Sequence, residues 1–149
     1  MDVKGEVIVE AEQDVVWDAL NDKEVLKVAT PGCKSLNEVE PNHYKAEVSL
    51  GIAAVRGQYE ADIKILDKQE PEQYRLIMNA NSSMGFVEGD AVVTLDYFEG
   101  QTKIMYDGTA KVGGLIAGTG QRILSGIAKM IVKDFFKKIA KEIKTQTSK

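Results

Sequence analysis

Hydrophobic and polar positions alternate along most of this chain, and the period of the alternation marks its elements. Asp2 to Glu10 puts Val3, Val7 and Val9 on one face and Asp2, Lys4, Glu6 and Glu10 on the other, a strand pattern that Ile8 alone breaks. Ala11 to Leu20 shifts to helical spacing, with Val16, Trp17 and Leu20 as its apolar side. Asn21 or Asp22 caps a second short helix through Val28, and Thr30-Pro31-Gly32 stops it. Placed directly after the first strand, these helices read as a compact plug, not a crossover.

From Cys33 the period returns to two. Lys34 to Glu40 is a strand that turns at Pro41-Asn42. Tyr44, Ala46, Val48 and Leu50 then alternate with His43, Lys45, Glu47 and Ser49. A long strand after Gly51 carries Val55, Gly57, Tyr59, Ala61, Ile63 and Ile65 on one face. Beyond the turn at Pro71, Tyr74, Leu76, Met78 and Ala80 face one way. The next strand turns Val87, Gly89, Ala91, Val93, Leu95 and Tyr97 inward, and the last turns Ile104, Tyr106, Gly108, Ala110 and Val112 the same way.

At Gly113 the pattern changes again. Gly113 to Gln121 is glycine-rich and aperiodic. From Leu124 the positions Leu124, Ile127, Ala128, Ile131, Phe135 and Ile139 fall three and four apart, one face of a long helix. Antiparallel strands with one wet face need a cover on the other, and only this helix is long enough to serve. The expected fold is α+β, a helix-grip arrangement. A curved seven-stranded antiparallel sheet wraps around the long C-terminal helix, with two short helices after strand 1. A chain of 149 residues, 44% hydrophobic, suits one such domain spanning residues 1–149.

Charge adds an asymmetry. From Arg122 onward eight Lys and Arg residues face two carboxylates, a net +6 that leaves −10 on the rest of a chain whose total is −4. Arg122, Lys129, Lys133 and Lys137 lie on the polar side of the helix, as either a solvated face or a surface for an anionic partner or membrane. A net-acidic chain gives no reason to expect nucleic acid. Cys33 is the sole cysteine, which excludes an internal disulfide and fits a reducing cytoplasm. The amino-terminal apolar run is too short and charged for a signal peptide, and no stretch approaches the roughly 20 apolar residues that span a bilayer.

The inward face is lean. Ala46, Ala61, Ala80 and Ala91, with Gly57, Gly89, Gly108 and Ala110, occupy positions where a packed core favours larger side chains. Strand glycines also mark sheet curvature, so bending explains part of the pattern. Alanines do not help bending, and Gly113, Gly114, Ala117, Gly118 and Gly120 thin the opposite wall. Two lean walls imply an apolar cavity. Tyr59, Met78, Val87, Tyr97 and Tyr106 would line it from the sheet, and Leu115, Ile116 and Thr119 from the glycine-rich stretch. Met84 and Phe86 would sit at a loop tip beside Gly85, where methionine adapts to irregular shapes and glycine permits movement. For Tyr59 and Met78, core filling is an equal alternative.

Groups for catalysis are missing from that face. His43 is the only histidine and alternates outward, so no triad or familiar zinc or iron site can be built; no catalytic residue, metal or cofactor is expected. Gly118-Thr119-Gly120 lacks the third glycine and the βαβ setting of a dinucleotide fingerprint. Glu60, Asp62, Glu88 and Asp90 alternate outward, onto a solvated face.

Several local motifs converge on one family. They are Val16-Trp17-Asp18-Ala19-Leu20-Asn21-Asp22, Val25-Leu26, and Thr30-Pro31-Gly32-Cys33 with Leu36. Gly85-Phe86 with Gly89, Tyr106, Val112-Gly113-Gly114, Gly120-Gln121-Arg122 and Phe135-Phe136 complete them. The whole chain resembles the START/Bet v1-like (SRPBCC) superfamily and, within it, the carbon monoxide dehydrogenase G-subunit family. The resemblance implies a non-catalytic accessory protein for a molybdenum hydroxylase such as carbon monoxide dehydrogenase. It also implies membrane recruitment and the handling of a quinone or lipid-like molecule. Relatives with a tail after the domain reach the membrane through it. This chain stops at Lys149, so any contact with the inner face of the membrane is expected through the basic helix face and Phe136. The alternatives are a recruitment module with an incidental cavity and, less well supported by the residues, a cavity-based hydrolase or cyclase.

Overall fold

The computed structural model describes residues 1–147. Its strands are β1 (Asp2–Val9), β2 (Cys33–Glu40), β3 (His43–Leu50), β4 (Gly57–Gln69), β5 (Gln73–Ser82), β6 (Gly85–Phe98) and β7 (Gln101–Gly113). Its helices are α1 (Gln13–Leu20), α2 (Lys23–Ala29) and α3 (Gln121–Thr147), and two short 3-10 turns cover Ala53–Val55 and Leu115–Thr119. The strands form one antiparallel sheet in the order β1-β7-β6-β5-β4-β3-β2, so the first strand closes against the last. The expected seven-stranded helix-grip architecture is the one observed.

Register turns the alternation into rows across the concave face, because directly paired residues project to the same side. One row runs Leu36, Ala46, Ala61, Ala80, Val87, Val112. The next runs Tyr44, Ile63, Met78, Gly89, Ala110. Ile65, Leu76, Ala91 and Gly108 follow, and then Tyr74, Val93 and Tyr106. Small residues therefore cluster in the middle rows of the sheet, while the row at Tyr74 is bulky.

The core fills the bulky end. There α1 buries Val16, Trp17, Ala19 and Leu20, and the Trp17 indole meets the Tyr74 ring edge-on at 5.6 Å. Of the two candidate caps for α2 it is Asp22 that acts, accepting hydrogen bonds from the backbone N–H of Glu24 and Val25. From α3 come Phe136, Ile139 and Ile143; full burial of each of the two isoleucines stabilises by roughly 2 kcal/mol.

Two local expectations are corrected. Val55 does not belong to a strand running from Gly51. It closes a 3-10 turn, its N–H bonded to Ile52 O at 3.0 Å and its carbonyl accepting from the Tyr59 hydroxyl at 2.7 Å, which draws the segment out of the ladder. Helix α3 starts at Gln121, where the glycine-rich stretch ends, as expected, and the Leu124 N–H reaches Gly120 O at 3.1 Å. Phe136 does not face outward for a membrane. It shares a face with Ile139 and Ile143 at spacings of three and four, and its ring stacks on Tyr106 at 4.8 Å.

Candidate functional site

Helix α3 does not lie evenly on the sheet. Its close backbone approaches are to α2, β1, α1 and the Leu115–Thr119 turn, with the middle strands standing further off. Under the first half of the helix the two facing walls stay partly open to solvent. Met78, Val87, Ala110 and Val112 on the sheet and Ile127, Ala128 and Ile131 on the helix are all half-buried although all are apolar. These partly buried apolar residues, on the lean rows and on the first half of the helix, are what we read as the walls of an apolar cleft.

Two separate sets of buried side chains bound this cleft. At one end stands the main core, presenting the stacked pair Tyr106 and Phe136, with Phe135 edge-on to Phe136 at 5.0 Å. Burial pushes the Tyr106 phenol up from its ordinary pKa, so it stays neutral over the physiological range. At the other end Val55, Ile116 and Leu124 are buried outside the main core, where the two 3-10 turns meet. This smaller group forms a lid.

Glycines hold the lid in place. The Ile116 N–H bonds to Met84 O at 2.9 Å, latching the lid turn to the β5–β6 hairpin. A Cβ on Gly85 would stand 2.2 Å from Gly113 O and 2.8 Å from the Ile116 side chain, and one on Gly114 would stand 2.5 Å from the Gly85 Cα. Both glycines have positive φ, 141° at Gly85 and 80° at Gly114. Their role at this junction is close approach. A Cβ on Gly118, in contrast, meets nothing within 4 Å.

Four of the ten residues read from the sequence lie at this lid. Ile116 is buried within it, Thr119 is half-buried at its end, and Met84 supplies the latch carbonyl while its side chain stays exposed. Leu115 points outward into solvent. Val87 and Met78 lie on the cleft wall, and Tyr106 at its far end. Tyr59 is buried in the core and spends its hydroxyl on Val55 O, so it braces the lid from below. Phe86 pairs with Gly113 and projects to the face opposite Val87, its ring occupying the space a Gly113 side chain would need. Tyr97 is not brought to the cleft; it lies at the far end of β6, where its exposed hydroxyl donates to Glu12 Oε1 at 2.9 Å.

Sequence reasoning passed over Val55, hidden by its reading as strand. It treated Ile127, Ala128 and Ile131 as plain cover, although their spacing was the available signal. The basic residues Arg122, Lys129, Lys133 and Lys137 are all exposed along α3. Two open hollows, about 410 and 620 Å³, lie elsewhere: one among Lys34, Glu47, Glu60 and Asn81, the other beside His43 and Lys64. His43 lies outside the cleft, its Nε2–H donating to Asp62 Oδ1 at 2.6 Å. No helix among the described residues is long and apolar enough to cross a membrane.

A curved antiparallel sheet gripping a long C-terminal helix, with two short helices after the first strand, defines the START/Bet v1-like class of folds. Within that class the chain belongs to the CoxG family, the G-subunit family of carbon monoxide dehydrogenase, which matches residues 5–144. A conserved protein from Geobacillus kaustophilus is similar at 38% identity and a TM-score of 0.94, over 97% of this chain and 96% of that one. A START superfamily protein from Mycobacterium smegmatis shares the fold at 10% identity and a TM-score of 0.76, over 97% of this chain and 98% of that one. Ara h 8.0201 does so at 15% identity and a TM-score of 0.74, again over 97% and 98%. No match was found among curated proteins.

Proposed function

We propose that the 149 residues work as one unit, a non-catalytic accessory protein whose cleft takes up a hydrophobic small molecule of the quinone or lipid-like class. The observation that supports this reading is the incomplete burial of apolar residues on the sheet, Met78 and Val87, and on the first half of the helix, Ile127 and Ile131. Apolar surface held apart in this way gains from a ligand that displaces its water. Membership in the CoxG family supports a partner of the molybdenum hydroxylase type, carbon monoxide dehydrogenase being the named example, and work in the cytoplasm and at the inner face of the membrane.

Uptake of 2-methyl-1,4-naphthoquinone and of oleate by equilibrium dialysis tests the reading. Wild-type protein is expected to bind at least one of them, and Ile131→Trp, which fills the cleft from the helix side, to lower the affinity at least tenfold. Failure of both ligands to bind, or binding that Ile131→Trp leaves unchanged, overturns it.

A second reading, a recruitment module with an incidental cleft, draws support from the exposed row Arg122, Lys129, Lys133 and Lys137 on α3. Charge reversal at Lys129, Lys133 and Lys137 separates the two, since it abolishes docking on an enzyme partner while leaving ligand uptake intact.

A further inference from the structure

Ile8, which breaks the alternation of β1, is 55% exposed on the convex face of the sheet. It pairs with Lys103, which pairs in turn with Asp96. One step nearer the β6–β7 turn, on the same face, stands Phe98, 68% exposed and opposite Gln101. Tyr97 leaves the other side of the same tip, 40% exposed, with its hydroxyl on Glu12. Glu99 and Gly100 close the hairpin at positive φ, 47° and 81°, so both aromatic rings stand on a tight two-residue turn. Large apolar side chains grouped on the wet face of a sheet mark an interaction site.

Charge decides what kind of surface fits this group. The segments that carry it, residues 6–14 and 96–103, hold Glu6, Glu10, Glu12, Asp14, Asp96 and Glu99 against Lys103, and Lys103 already reaches Glu6 at 3.8 Å. The neighbouring β4–β5 turn, tied to β6 by the Leu95 N–H on Glu72 O at 2.7 Å, adds three carboxylates and Lys68 over residues 67–72. This end of the molecule is therefore acidic, the reverse of α3. Anionic bilayers and nucleic acids are repelled by such a rim. A second copy docking symmetrically would set carboxylate against carboxylate. The complementary surface belongs to a different protein: an apolar pocket with a basic rim, into which an aromatic anchor fits.

We propose that the β6–β7 hairpin tip, with Phe98 and Tyr97 as anchors and Ile8 beside them, docks into an apolar pocket on a partner protein whose surrounding surface is basic. Glu10, Asp96 and Glu99 steer that partner and fix its orientation. The β6–β7 turn and the β5–β6 hairpin that latches the lid close opposite ends of β6, so a partner held at the tip leaves the lid free. The proposal stands whether or not the cleft takes a ligand, and it uses a different surface from the basic row on α3.

Photo-crosslinking of the full chain in the cells it comes from tests the proposal, with p-benzoylphenylalanine in place of Phe98 or, as a control, of Asn79, which is exposed on the same face. The probe at Phe98 is expected to give an adduct with a different protein, identified by mass spectrometry, that the probe at Asn79 does not give. That protein, once purified, is expected to bind the wild-type chain, and added salt to weaken the complex. Phe98→Ser/Ile8→Ser, which alters exposed positions only, is expected to weaken it at least tenfold, with circular dichroism and naphthoquinone uptake as in wild type. Glu10→Lys/Glu99→Lys, an independent variant that leaves the apolar group in place, is expected to do the same. No adduct specific to Phe98, or an adduct with lipid or with a second copy of this chain, overturns the proposal. So does a purified protein that fails to bind the wild-type chain, or that binds both variants as tightly as wild type.

Discussion

The two halves of α3 have similar apolar spacing and different neighbours. Phe136, Ile139 and Ile143 meet α1, α2 and the bulky rows of the sheet and are buried. Ile127, Ala128 and Ile131, on the half of the helix nearer the Leu115–Thr119 turn, are only partly buried. The helix is much the same on both sides of the divide; what packs against each half decides whether its apolar stripe is buried. Amphipathic periodicity identifies a face that wants burial, but only the volume opposite decides how completely it is buried.

Truncation at matched positions breaks this comparison most directly. Ile139→Ala is expected to remove about 3–4 kcal/mol of stability, because a fully buried isoleucine leaves a cavity in a packed core. Ile131→Ala is expected to remove under about 1 kcal/mol, since the cleft already leaves that side chain half-solvated. Urea unfolding measures both, and equal losses would mean that the cleft is packed as tightly as the core.

The lid offers the next contrast. Gly85→Ala puts a methyl group against Gly113 O at positive φ, and a loss of roughly 2–3 kcal/mol is expected. Gly118→Ala meets open space, and a change from zero to a gain of about 1 kcal/mol is expected from the stiffer unfolded chain. If Gly118→Ala proved as damaging as Gly85→Ala, close approach would not be the reason for the glycines.

Much of this arrangement was legible in the sequence, for a physical reason that also marks where legibility stops. Strands with one wet face write their orientation in period two, so the seven strands and the side on which Ala46, Ala61, Ala80 and Ala91 project were readable residue by residue. The residues of the lid were named, but the way they are tied together was not readable, because Gly113 to Gly120 has no period and its partners, Met84 and Gly85, are distant in sequence. Val55 was misread as strand because the Tyr59 hydroxyl that captures its carbonyl is a tertiary contact. The outward placing of Phe136 followed from reading the helix stripe through Phe135 alone, when the two phenylalanines divide between the edge and the centre of the buried face.

A smaller effect probes the end wall of the cleft. A Cβ on Gly5 would lie 2.5 Å from the Tyr106 hydroxyl, so Gly5→Ala must shift that ring, which stacks on Phe136. Loss of the stack is expected to remove about 1 kcal/mol and to alter naphthoquinone affinity, as nothing in the lid is touched. A Gly5→Ala variant with wild-type stability and affinity would show that the ring has room to slide.

The smallest effect is expected on the convex face, where water competes for every contact. Arg75 donates through Nε to Asp90 Oδ1 at 2.9 Å, and this hydrogen bond holds the Asp90 carboxyl below its ordinary pKa. A depressed carboxylate stabilises the fold above the ordinary carboxylate range, and that contribution fades as pH falls through the lowered value. Both partners are exposed, so solvent screens the pair and its share of stability at pH 7 is small. An NMR titration of the Asp90 carboxyl carbon is expected to show a midpoint below that of an unpaired aspartate, returning to the ordinary range in Arg75→Gln. The urea midpoint at pH 7 should move less for Arg75→Gln than for Ile139→Ala, Gly85→Ala or Gly5→Ala. A large shift there would mean that the outer face carries stability that belongs, on the burial pattern, to the core end of α3, and the contrast between the two helix halves would have to be drawn again.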